Sequence, residues 1–83
     1  MDTAYLYSLT DTLTRMMYIG SRYAKGCRTE DLGVTYFSSS LTVSPLFKDD
    51  PTRFQKEILL VGSKDYVIEI ERRFIDACGG RLI

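Results

Sequence analysis

A run of aromatic and apolar residues with β character stands near the start of the chain, over residues 4–9. In residues 4–9, Tyr5, Tyr7 and Leu9 fall on one face and Ala4, Leu6 and Ser8 on the other, and the aromatic content suits a strand. Residues 10–15 are polar and predict a turn. Residues 16–21 predict a second strand with Met16, Tyr18 and Gly20 in phase, and so short a link implies an antiparallel hairpin. Tyr7 and Tyr18 meet on one face if the register aligns them. Residues 23–34 are irregular, broken by Gly26 and Gly33. Ser38, Ser39 and Ser40 are candidate caps for a short helix running to about Lys48, limited by Pro45 and ended by Asp49-Asp50-Pro51. Residues 54–61 predict a third strand, and the near-continuous apolar run Ile58-Leu59-Leu60-Val61 predicts burial on both faces. After Gly62, Ser63 or Asp65 caps a helix over residues 64–77, which Gly79-Gly80 stops. The order predicts an α/β fold: a small, mostly antiparallel three-stranded sheet flanked by helices.

One residue breaks the pattern of the last helix. The neighbours of Glu71 three and four positions away are Val67, Ile68, Phe74 and Ile75, so Glu71 falls within the apolar face. Glu69 differs, with Asp65, Tyr66, Arg72 and Arg73 around it. A carboxylate on a burying face is costly unless it is paired or bound to a cation. Two readings follow: Glu71 pairs with an arginine of the hairpin, or it is a metal ligand at the bottom of a cleft.

Composition narrows the chemistry. The 83 residues predict a single domain, and a chain this size buries about 60–65% of its unfolded surface. Eleven basic residues balance eleven acidic ones, but no acid lies between Asp11 and Glu30, where Arg15, Arg22, Lys25 and Arg28 stand. Such a stretch can contact phosphate in a neutral protein. The two cysteines, Cys27 and Cys78, form no C-x-x-C pair and read as reduced thiols. With no histidine, His-based triads are excluded and a zinc site is disfavoured, so a metal here takes oxygen ligands, as magnesium and manganese do. No apolar run reaches membrane-spanning length, which predicts no membrane partner and a cytoplasmic location.

The chain resembles GIY-YIG nuclease domains, closest to phage homing-endonuclease-like members. Tyr5-Leu6-Tyr7 and Tyr18-Ile19-Gly20 match the two halves of the signature, the stretch 18–27 matches Y-[IV]-G-x-R-Y-x-K-x-C, and Thr35-Tyr36-Phe37-Ser38-Ser39-Ser40 matches T-Y-F-x-S-S. The final helix, with Val67 four places before Glu71, completes a likeness that spans residues 4–78. The resemblance implies a phage or mobile-element DNA endonuclease that hydrolyses phosphodiesters with Mg2+ or Mn2+, with dimerisation permitting double-strand cuts.

Site residues follow from that resemblance. Tyr7 and Tyr18 orient or deprotonate the attacking water, Arg22 contacts the scissile phosphate, and Glu71 holds the metal. Lys25, Arg28 and Tyr36 are further phosphate or nucleic-acid contacts, Tyr36 standing roughly where many relatives have histidine. Thr14-Arg15 stands where many relatives have Asn-Gly, so the hairpin turn differs or carries strain. The alternative from another class is a catalytically inactive protein of the same fold, a phage inhibitor or counter-defence factor that binds a nucleotide or a host protein through the tyrosine–arginine pocket.

Overall fold

The computed structural model describes residues 3–78. Strand β1 (Ala4–Asp11) is joined by a tight turn to β2 (Met17–Arg22); a long loop with a 3-10 turn at Thr29–Asp31 leads to helix α1 (Val43–Asp49); a second 3-10 turn at Pro51–Arg53 enters β3 (Phe54–Gly62); and helix α2 (Lys64–Cys78) follows. The sheet is antiparallel with order β2-β1-β3, the α/β architecture expected from the sequence.

β1 is central and almost wholly buried, and its alternation sorts two cores. Tyr5, Tyr7 and Leu9 face the loop and α1, packing with Cys27, Leu32, Val43, Phe47 and Phe54. Ala4 and Leu6 face α2, packing with Ile19 and Val67. The first hairpin closes through Asp11 N–H to Met16 O at 2.9 Å and Arg15 N–H to Asp11 O at 2.7 Å. Arg15 takes the left-handed conformation at φ 64°. The turn thus holds at an arginine the backbone that glycine adopts freely, as the missing Asn-Gly implied.

The third strand corrects an expectation. β3 is an edge strand with mostly exposed side chains, including Ile58 at 36% and Val61 at 49%. Its apolar run reflects a register shift: Leu6 pairs with Leu60 and Tyr7 with Ile58, so Leu59 is an extra residue. A bulge of this kind interrupts alternation, so an unbroken apolar run arises without two-sided burial.

The first helix also starts later than expected. Ser38 is buried at φ 78°, and it is Ser40 Oγ that accepts the Val43 N–H at 3.1 Å. Pro45 then sits within the first helical turn, where its missing N–H has no partner to lose. Ser63 Oγ accepts the Tyr66 N–H at 3.3 Å and so caps α2. The expected stop at Gly79-Gly80 lies outside the described residues.

Candidate functional site

Register brings the two signature tyrosines together. Tyr7 pairs with Gly20 and Leu9 with Tyr18, which places Tyr7 and Tyr18 diagonally on one face with ring centroids 6.1 Å apart. Gly20 makes room for this. A Cβ there would lie 2.5 Å from Tyr7 Oη and 2.8 Å from Tyr18 Cε2. Glycine is required here for space, since the Tyr7 ring lies across its backbone.

Tyr7 is sealed. It is wholly buried, and its hydroxyl shares a 3.0 Å hydrogen bond with the Tyr36 hydroxyl and donates to Ser38 Oγ at 3.2 Å. Burial pushes its pKa well above the usual phenol range. Tyr7 therefore supports Tyr36 from behind rather than meeting solvent. Tyr18 is half-buried against the same core.

In front of Tyr36 lies Arg22, with its guanidinium carbon 4.1 Å from the ring centroid. Asp31 holds the guanidinium from one side at a looser 3.7 Å, Nε to Oδ2. Asp31 also organises the loop. Its Oδ2 accepts the Arg28 N–H at 2.9 Å, and its carbonyl accepts the N–H groups of Val34, Thr35 and Tyr36. One residue thereby places both the arginine and the tyrosine it covers. Two polar atoms here stay buried without a hydrogen bond, Arg22 Nε and Tyr5 Oη. Burial raises the Tyr5 phenol above its usual range, partly offset by Arg22.

A cleft of about 340 Å3 opens at the outer edge of β2. Ser21 and Arg22 of β2, with Tyr23 and Ala24 after it, form one wall; Tyr36 and Ser39 come from the loop, and Glu71 from α2. Val67 docks on Ala4, Leu6 and Ile19, and Glu71, one helical turn later, lines the cleft. Glu71 is half-buried and, among the described residues, makes no ion pair, since Arg22 pairs with Asp31. Of the four residues expected to converge on one concave surface, Tyr7, Tyr18, Arg22 and Glu71, only Arg22 and Glu71 line the cleft; Tyr7 and Tyr18 pack behind it, and Tyr36 stands in the lining instead. Lys25 and Arg28 are exposed and lie outside the cleft lining.

Among the described residues no three His, Cys, Asp or Glu side chains cluster as a metal cage. Glu71 as a single protein ligand fits a magnesium-like ion, which keeps most of its waters and takes the rest of its oxygens from a phosphate substrate.

Tyr23, Asp31 and Ser39 were not among the sequence-derived candidates. Asp31 had a faint signal, since Glu30-Asp31 closes the basic interval that begins after Asp11. No helix among the described residues is long and apolar enough to cross a membrane. Comparison of the chain with protein-family models, curated proteins and solved structures found no match.

Proposed function

We propose that this chain is a GIY-YIG-type, metal-dependent DNA endonuclease domain that hydrolyses one phosphodiester per cleft. The observation that carries the reading is the convergence of Arg22, Tyr36 and Glu71 on one cleft, with Tyr7 bonded behind Tyr36. Arg22, held over the Tyr36 ring, offers its fork of donors to phosphate oxygens and stabilises charge that grows as the bond breaks. Tyr36 rather than Tyr7 presents a phenol to the cleft, so it orients the attacking water while Tyr7 fixes its hydroxyl. Glu71 holds the ion. Bound magnesium or manganese supplies Lewis-acid polarisation of the phosphoryl group and neutralises the leaving oxygen.

The test is nicking of supercoiled plasmid. Wild type with Mg2+ or Mn2+ converts it to the open-circular form, and Glu71→Ala and Arg22→Ala each abolish conversion. Plasmid left intact by wild type across several metals and substrates overturns the reading.

One observation favours the alternative, a nucleotide- or protein-binding module without turnover. The buried Tyr7 phenol, its pKa raised, cannot take a proton from water at neutral pH. Calorimetry separates the two: metal binding lost in Glu71→Ala supports the nuclease, and ligand binding indifferent to metal and to Glu71 supports the module.

A further inference from the structure

Next to Arg22, the cleft carries an aromatic ring that the proposed chemistry does not use. Tyr23 lines the cleft and is 45% exposed, a large exposure for a tyrosine beside a cation-bearing wall. The Lys64 ammonium lies 4.8 Å from its ring centroid and fixes the ring from one side. Arg22 and Tyr23 thus both line the cleft, one with a guanidinium stacked on Tyr36 and the other with an aromatic ring beside Lys64. Ser21 and Ser39 add hydroxyls to the lining, and Lys64, outside it, brings a positive charge through its contact with the Tyr23 ring. A volume of about 340 Å3 lies at the small end of ligand pockets and suits one nucleotide unit.

We propose that this cleft takes one unpaired nucleotide of a DNA strand, with its base stacked on Tyr23 and its phosphate on Arg22 and Lys64. This rests on the phosphodiester reading above and narrows its substrate to single-stranded or locally opened DNA. A base inside a duplex hides its faces in the stack, so it reaches Tyr23 only when splayed out. Stacking on one aromatic ring is tolerant of sequence, because every base has a π-face. Tyr23 then sets the strand state of the substrate, while Arg22 and Glu71 serve the reaction.

The experiment titrates the wild-type protein, in EDTA so that nothing is cut, into a short oligonucleotide containing 2-aminopurine, as single strand and as duplex. Stacking quenches the single strand's fluorescence, and it binds at least about tenfold more tightly than the duplex. Tyr23→Ala weakens single-strand binding by about tenfold and removes the quenching, whereas Tyr23→Phe retains both. Equal affinity for duplex and single strand, or Tyr23→Ala matching wild type, overturns the inference. A free mononucleotide that competes as well as the oligonucleotide overturns the strand assignment. Plasmid nicking scored alongside keeps the failures apart: Glu71-dependent nicking without quenching sinks this inference alone, and absence of both nicking and binding sinks the nuclease reading with it.

Discussion

Two arginines on this small domain have the same kind of neighbours and opposite degrees of satisfaction. Arg53 meets Asp11 in a two-pronged pair, Nε to Oδ1 at 2.8 Å and Nη2 to Oδ2 at 2.6 Å, beside the Phe54 ring at 5.7 Å. Arg22 lies closer to its ring, 4.1 Å from Tyr36, but reaches Asp31 only at 3.7 Å and leaves Nε without a hydrogen bond. The first pair closes the turn end of β1, where Thr12 also bonds the Arg53 carbonyl through its N–H and its hydroxyl. The second lines the cleft at the other end of the hairpin. A fork paired two-to-two with a buried carboxylate serves the fold; a fork held by stacking and a loose ion pair can still bind a phosphate through its exposed donors.

Breaking the closed pair carries the largest expected effect. Arg53→Ala strands Asp11, whose side chain is 4% exposed, as a buried carboxylate without its partner. The melting temperature should fall on the order of 10 °C, and plasmid nicking by the remaining folded protein should persist at low temperature. A variant that melts like wild type shows that the clamp is ornamental.

Acid reaches the same pair without mutation. The hydrogen bonds from Arg53 hold the Asp11 carboxyl well below its ordinary value of 3.8. A group whose pKa is lowered on folding stabilises the fold above its unfolded value and loses that stability as pH falls toward the folded one. Urea midpoints should therefore be nearly flat from pH 7 to about 5 as far as this pair is concerned and decline below about 4. Asp11→Asn should flatten that acid limb relative to wild type. An unchanged acid limb assigns the slope to other carboxylates.

Much of the fold was legible in the sequence, and the reasons for the rest are physical. The two-residue period in residues 4–9 sorted the two faces of β1 correctly, because successive side chains of an unbulged strand point to opposite faces of the sheet. The Tyr7, Tyr18 and Gly20 grouping followed once the hairpin register was fixed. The edge position of β3 did not, because a bulge at Leu59 makes an apolar run look two-sided. Neither Asp–Arg pair could be read from the chain, since Asp11 and Arg53 lie in different strand–turn units and Asp31 acts through a loop fold that propensity does not specify. Tyr23 was passed over because a single exposed aromatic has no pattern until a cleft forms around it.

Gly20→Ala tests whether the open site depends on its backing. The new methyl would press on the Tyr7 hydroxyl, a group that cannot retreat from its bonds to Tyr36 and Ser38. Overpacking of this kind costs about 1–3 kcal/mol, measured by urea denaturation. Displacement of Tyr36 should also shift the near-ultraviolet circular dichroism of the tyrosine cluster and weaken binding at the cleft. A stable variant with an unaltered spectrum shows that Tyr7 has room and that Tyr36 is positioned by Asp31 alone.

The smallest change in stability belongs to the open arginine, and it sharpens the comparison most. Arg22→Ala removes a stacked cation and a loose 3.7 Å ion pair whose members are each about a quarter exposed, 23% and 24%. Pairs of that exposure contribute roughly 0–1 kcal/mol, so the urea midpoint should barely move. Function should behave in the reverse order: nicking and single-strand binding fall steeply in Arg22→Ala. Arg22→Lys keeps the charge but loses the planar fork, so it should retain part of the binding while losing most of the nicking. If Arg22→Ala instead melted as far below wild type as Arg53→Ala, both arginines would be clamps. The case for a phosphate at the edge of β2 would then lose the arginine that lines the cleft.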